Sequence, residues 1–329
     1  MTFKACRVYK DANGIQHRIE EQEDYVLTDG QVLIKIHYSG INYKDALGAT
    51  GTAPIYKQFP INAGIDCAGE VIESRSSTFT AGQTVLVNGC GLGEAQDGGL
   101  AEMVAVPEGW VIPMPENLTP RTAMIYGTAG FTAALALERM QENGQTVDMG
   151  PVVVSGASGG VGSFALTMLN ALGYESIAVT GKTDQADYLK QLGATEVKSV
   201  AELGLGEQPL EKARFGGMID NVGGDLLTQC LAHINLWGNV ACIGMAASPK
   251  LSTTVFPLIL RGVSLLGASS TNCPMPRRTK VWNWIADELL TDKLEMIVSE
   301  EVTLGNVGES FQKLLRRQNR GRIIVNCQS

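Results

Sequence analysis

Residues 152–173 read VVVSGASGGVGSFALTMLNALG: an apolar run meets Gly156, Gly159, Gly160 and Gly162 before a helical apolar pattern begins. The first turn of a helix leaves backbone N–H groups without partners, and its dipole favours anions. Glycines let a bulky anion approach that backbone. Ser158, Gly159, Gly160, Val161 and Gly162 are therefore candidates to hold a pyrophosphate. A strand before the loop and a helix after it give the context of a dinucleotide fingerprint. The plainer alternative is a tight strand-to-helix turn that holds no ligand.

The end of the next strand selects between dinucleotides. An acid about 20 residues on would bind a ribose 2′-hydroxyl. Here the chain reads AVTGKTD, with Thr180, Gly181 and Lys182 at that place. A hydroxyl and an ammonium suit a 2′-phosphate, so the expected cofactor is NADPH. If the strand ran two to four residues further, Asp184 would be the acid instead. Lys182 taken alone also reads as a solvated surface lysine.

Two kinds of element must position these residues. Gln31–Asn42, Cys67–Ser74, Gly82–Gly89 and Gly98–Pro107 read as short strands between glycine turns, which suggests a β-rich, barrel-like domain. From about Met124 the pattern changes. Gly127–Met140 has helical periodicity. Strands at Val152–Ser155, Ser176–Thr180, Met218–Asn221, Asn239–Ile243 and Val263–Gly267 then alternate with helices at Val161–Leu172, Asp184–Leu192 and Gly223–Ile234. That alternation predicts an α/β, doubly wound parallel sheet with helices on both faces. Two amphipathic helices and a strand, GRIIVN, follow and are expected to complete the first domain.

Composition narrows the classes. The formal net charge is −8, so no global basic footprint for nucleic acid is present. No apolar run reaches the length of a membrane span, and no opening segment reads as a signal peptide. The expectation is a soluble, cytoplasmic chain with no membrane or nucleic-acid partner. Seven cysteines are scattered without a C-x-x-C pair, and the three histidines are far apart. No metal site is expected.

Several motifs resemble the medium-chain dehydrogenase/reductase superfamily: GIDCAGEV (64–71), AGQTVLV (81–87), GTAGFTA (127–133), GASGGVG (156–162), LGA (192–194) and GRIIV (321–325). The resemblance implies a GroES-like β-rich catalytic domain, 1–122 and 271–329, around a Rossmann domain, 123–270. Where zinc alcohol dehydrogenases carry a catalytic Cys and a His–Glu pair, this chain resembles them with Asn42 and Ile65–Asp66. The four-cysteine structural lobe is missing too, so no zinc is expected. A narrower likeness, through NYKDAL, FPINAGIDCAG and TTVFPLILRGVSLLG, is to the acrylyl-CoA reductase family, the YhdH/AcuI type. It implies NADPH-dependent reduction of the 2,3-double bond of acrylyl-CoA, and a homodimer.

The same resemblance supplies further site residues. Asn42, Tyr43, Lys44 and Asp45 are the candidates for chemistry, with Tyr43 also beside the cofactor. Thr128, Met245, Ile259 and Ser270 are implied cofactor contacts. Asn42 and Asp45 alternatively cap the following helix. Arg277–Arg278 and the cluster Arg316, Arg317, Arg320 and Arg322 are candidates for a CoA ester's phosphates, or else solvated helix ends. Two other functions compete: a quinone or enone oxidoreductase on the same fold, and an NADPH-binding protein without turnover.

Overall fold

The structure, a computed structural model, describes residues 2–329. It contains two compact units: the chain through Thr128 together with Ser270–Ser329, and Ala129–Ser269.

The first unit opens with an antiparallel hairpin, β1 (Thr2–Asp11) and β2 (Gly14–Glu23), which the motif reading did not foresee. β3 (Gln31–Ile41) leads through Asn42 into a short helix, α1 (Tyr43–Ala49). β4 (Ile61–Asn62), β5 (Asp66–Ser74), β6 (Thr84–Asn88), β7 (Met103–Pro107) and β8 (Ile112–Pro113) follow. The helix expected at 127–140 begins earlier: α2 spans Pro120–Glu142 and breaks at Gly127, where φ is 49° and ψ −155°. A Cβ at Gly127 would lie 2.6 Å from Arg322 Nη2 and 2.7 Å from Asp66 Oδ2. Both the left-handed φ and the crowding require glycine there.

The second unit alternates as the sequence predicts. β9 (Val152–Ser155), α3 (Gly160–Ala171), β10 (Ser176–Val179), α4 (Ala186–Gln191) and β11 (Glu196–Lys198) form its first half. β12 (Phe215–Asp220), α5 (Gly224–Ala232), β13 (Ile234–Cys242), α6 (Phe256–Arg261) and β14 (Ser264–Gly267) form the second. All six strands are parallel, in the order β11-β10-β9-β12-β13-β14. That is the doubly wound order of the Rossmann fold, with its switch point beside β9. Val153, Val179, Met218, Leu227, Leu231 and Val240 pack the core of this sheet. Burying each such side chain stabilises by about 1.5–3 kcal/mol.

The tail returns to the first unit, as expected. α7 (Met275–Asp287), α8 (Leu294–Ile297), β15 (Val298–Thr303) and α9 (Val307–Leu315) precede β16 (Arg322–Asn326). β16 pairs antiparallel with β3, Ile323 opposite Ile41. The resulting sheet runs β15-β16-β3-β5-β6-β8, with β7 also on β3. Val32, Ile34, Ile36, Val71, Val104 and Val325 fill its core with Phe311 of α9.

Candidate active site

In the second unit, the glycine loop sits at the carboxyl end of β9, beside the switch point. Gly159 caps α3. A Cβ on Gly162 would lie 2.6 Å from both Ala157 Cα and Gly156 O, so only glycine lets the helix start this close to its own loop. The N–H groups of Gly160, Val161 and Gly162 have no backbone acceptor among the described residues. These are the donors a pyrophosphate needs.

Around the loop lies a polar network that the sequence reading missed. Ser155 Oγ donates to Asp220 Oδ1 at 2.7 Å and accepts the Asn221 N–H at 2.9 Å. Asn221 Nδ2 donates to Ser155 O at 2.8 Å, and its buried Oδ1 has no partner among the described residues. Asp220 Oδ2 accepts the Gly223 N–H at 2.8 Å. Burial raises the pKa of Asp220, against the pull of these donors. A polar pair, Asp220–Asn221, ending an otherwise apolar buried strand was the available signal. Met245 follows β13 in a loop tied to this network, for Gly244 donates its N–H to Asp220 O at 3.1 Å.

β10 ends at Val179, so Asp184 is not the strand-end acid; it lies exposed in a 3₁₀ turn, Thr183–Gln185. Thr180, buried, takes the end position. Its Oγ1 accepts the Lys182 N–H at 3.1 Å and lies 3.5 Å from Ser158 Oγ. The structure thus joins Thr180, Lys182 and the glycine loop, with Gly181 exposed between them. Partial burial lowers the pKa of the Lys182 ammonium. Ile259 stands elsewhere, 72% exposed on α6 in a row with Val255, Phe256 and Leu260.

In the first unit, Asn42 and Asp45 do cap α1. Asp45 is 1% exposed; its Oδ2 accepts the Asn42 N–H at 2.8 Å and its Oδ1 accepts the Ile65 N–H at 3.1 Å. Burial, with the charge of Asp66, pushes Asp45 up to about 7. Asp66 is fully buried and accepts the N–H groups of Gly40 at 3.1 Å and Thr128 at 2.7 Å. The Asn42 amide bridges two charges: Nδ2 donates to Asp66 Oδ2 and Oδ1 accepts from Arg322 Nη1, each at 3.0 Å. Both ends of the Asn42 amide are thereby occupied.

Tyr43 is 39% exposed, and its hydroxyl has no partner among the described residues. Lys44 Nζ is held by Glu94 Oε1 at 2.7 Å and by Thr271 Oγ1 at 2.9 Å. Ser270 gives its carbonyl to Arg278 Nη2 at 2.8 Å.

Two of the arginines named for a phosphate ester are corrected by burial. Arg278 is 0% exposed, and its guanidinium serves the carbonyls of Asn88, Ser270, Thr271 and Cys273. Arg322 is 3% exposed, and its donors serve main-chain carbonyls and Asn42. Neither reaches solvent to meet a phosphate. Arg316, Arg317 and Arg320 remain exposed after α9. A charged residue opening the apolar run of β16 was the sequence signal for the buried role of Arg322.

The residues at this place do not fit a zinc ion. Asn42 and Ile65 supply neither thiolate nor imidazole, and Asp66 is saturated by Gly40, Asn42 and Thr128. Among the described residues, no group of three or more His, Cys, Asp or Glu could hold a metal. No described helix is long and apolar enough to cross a membrane.

Two family models match the chain: the alcohol dehydrogenase GroES-like domain over residues 28–116, and zinc-binding dehydrogenase over residues 160–287. The acrylyl-CoA reductase AcuI of Ruegeria pomeroyi is 40% identical over 327 residues, 98% of this chain and 99% of that protein. The YhdH oxidoreductase of Salmonella enterica, solved with NADP, superposes at a TM-score of 0.95 with 39% identity over 100% of both chains. Bacillus subtilis YhfP, solved with NAD bound, gives 0.95 with 42% identity over 99% of this chain and 100% of that one.

Proposed function

This chain belongs to the acrylyl-CoA reductase family of the medium-chain dehydrogenase/reductases, and we propose that it is an NADPH-dependent, zinc-independent reductase of acrylyl-CoA or a similar short enoyl thioester. The observation that carries the reading is that α3 N–H groups without a backbone acceptor begin beside a loop whose Ser158 meets Thr180, itself bonded to Lys182, at an acid-free strand end.

The N–H groups of Gly160, Val161 and Gly162 would hold the pyrophosphate, with Ser158 and Gly159 shaping the loop. Thr180, Gly181 and Lys182 would hold the 2′-phosphate by charge-assisted hydrogen bonds. Bound there, NADPH supplies the hydride that adds to the β-carbon of an unsaturated thioester. Charge then develops on the thioester oxygen and needs a hydrogen-bond donor, and the α-carbon needs a proton. The Tyr43 phenol, exposed and unpaired, suits either task. Lys44, whose ammonium Glu94 and Thr271 hold, provides a fixed positive charge one residue on. Asn42 and Asp45 have their polar atoms engaged and hold the first turn of α1. Thr128, Met245 and Ser270 complete the proposed cofactor contacts; their roles are in packing.

The chain would act as a homodimer. β14 is an edge strand of the second unit, and Trp237, Ile259 and Leu260 nearby are 60–72% exposed. A strand edge with large exposed apolar side chains fits pairing with a second copy.

Steady-state oxidation of NADPH tests the reading, with acrylyl-CoA, 1,4-benzoquinone and 2-cyclohexenone compared at equal concentration. The highest kcat/KM is expected for acrylyl-CoA. A quinone preference would move the function to the quinone oxidoreductases. Tight NADPH binding with no turnover of any acceptor would make the chain a binding protein.

A further inference from the structure

Asn42 is the N-cap of α1, so the helix that presents Tyr43 starts from an amide fixed at both ends. The cation behind it is unusually well held. Arg322 donates to Ile125 O at 3.1 Å, Ile41 O at 3.2 Å and Met124 O at 3.4 Å, besides Asn42 Oδ1. Its Nη2 lies 3.8 Å from Asp66 Oδ2. Ile41 ends β3, and Asn42 alone joins it to α1. The guanidinium therefore touches the main chain of one and the side chain of the other. A planar fork of five donors can serve these acceptors at once, whereas a lysine offers one point charge.

A side chain this thoroughly bonded costs free energy to desolvate, and a well-packed apolar residue often stabilises as much. Stability alone does not account for the arrangement. What an apolar residue would not supply is the fixed rotamer of Asn42.

We propose that Arg322 is a positioning residue for hydride transfer, acting through Asn42 to hold the first turn of α1 and the Tyr43 that it carries. The inference rests on the reductase reading above. A misplacement of about 1 Å in a reacting geometry costs on the order of a hundredfold in rate.

The test compares full-length wild type, Asn42→Ala, Arg322→Lys and the double variant. Asn42→Ala removes the link to α1 and leaves the other bonds of Arg322 in place. Each single substitution is expected to lower kcat for acrylyl-CoA by at least about tenfold, with KM changed less than about threefold. NADPH affinity, read by fluorescence titration, stays within about twofold. The deuterium isotope effect with NADPH labelled at the transferred position rises toward its intrinsic value. The double variant is expected to be no slower than Arg322→Lys, because both changes break one link. Asn42→Ala with kcat within about twofold of wild type would overturn the proposal, as would single losses that multiply in the double variant. If Arg322→Lys does not fold, the kcat and isotope effect of Asn42→Ala decide. A wild type that reduces a quinone but not acrylyl-CoA would sink the substrate reading instead, and the same four proteins would then be compared on the quinone.

Discussion

Gly162 and Ala157 approach so closely that a single added carbon on Gly162 would sit 2.6 Å from Ala157 Cα. The atoms it would meet are main chain, which cannot rotate aside. Gly162→Ala must therefore push α3 away from its loop. Overpacking of this kind costs about 1–3 kcal/mol. The expected outcome is a lower urea midpoint and NADPH affinity reduced by at least about tenfold, since the displaced N–H groups are the phosphate donors. Isothermal titration with NADPH checks it; unchanged affinity would remove the glycine loop from the binding site.

Lys182 follows the buried Thr180 at the place where an NAD-selective chain carries an acid. A charge-assisted hydrogen bond is worth about 1.5–3 kcal/mol, which is roughly ten- to a hundredfold in binding. Lys182→Ala is expected to lose that much kcat/KM with NADPH and almost none with NADH. Equal losses with both cofactors would show that the lysine does not meet the 2′-phosphate.

Asp45, pushed up to about 7, sets a pH dependence whose sign is definite. An unfolded aspartate titrates near 3.9. Between about 4 and about 7 the native chain keeps a proton that the unfolded chain has released. The contribution of Asp45 to stability therefore falls as pH rises through that window, by up to about 1.4 kcal/mol per pH unit, and is flat above it. Asp45→Asn cannot ionise. Urea unfolding of both proteins from pH 4.5 to 7.5 should show wild type losing ground to the variant as pH rises; a constant difference would mean that Asp45 is ionised throughout.

Arg278 serves four carbonyls and reaches no solvent. Arg278→Leu leaves those oxygens without their donor, at about 1–3 kcal/mol for each that finds no water. A loss of at least about 3 kcal/mol in urea unfolding is expected. A variant as stable as wild type would show that water replaces the guanidinium without cost.

Treatment with 1,10-phenanthroline is expected to leave the reductase rate unchanged, because Asn42, Ile65 and Asp66 do not make a zinc site. Inhibition reversed by added zinc would contradict the donor set that the structure shows.

The parallel sheet and its glycine loop were legible because buried strands, glycine turns and helical periodicity are local patterns. Boundaries shifted where local signals conflict: α2 begins at Pro120, before the glycine that breaks it, and β12 begins three residues earlier than Met218. The hairpin β1–β2 was not read, because β2 is polar on both faces and shows little apolar alternation. In the first unit the residues Asn42–Asp45 were located by family likeness, but their partners were not. Arg322 reaches Ile41 across 281 positions, and no spacing rule connects them. For the same reason Arg278 and Arg322 read as surface cations when both are buried.

That long separation also orders assembly. Ala129–Ser269 is one continuous stretch, and its sheet needs nothing outside it. β3, by contrast, pairs with β5 and β7 early, but its Tyr38–Ile41 stretch lacks the antiparallel neighbour on its other side until β16 has been made. During synthesis the later-born unit can therefore finish first, while the earlier segments wait with an open edge. That waiting edge is where chaperone capture or premature aggregation should concentrate.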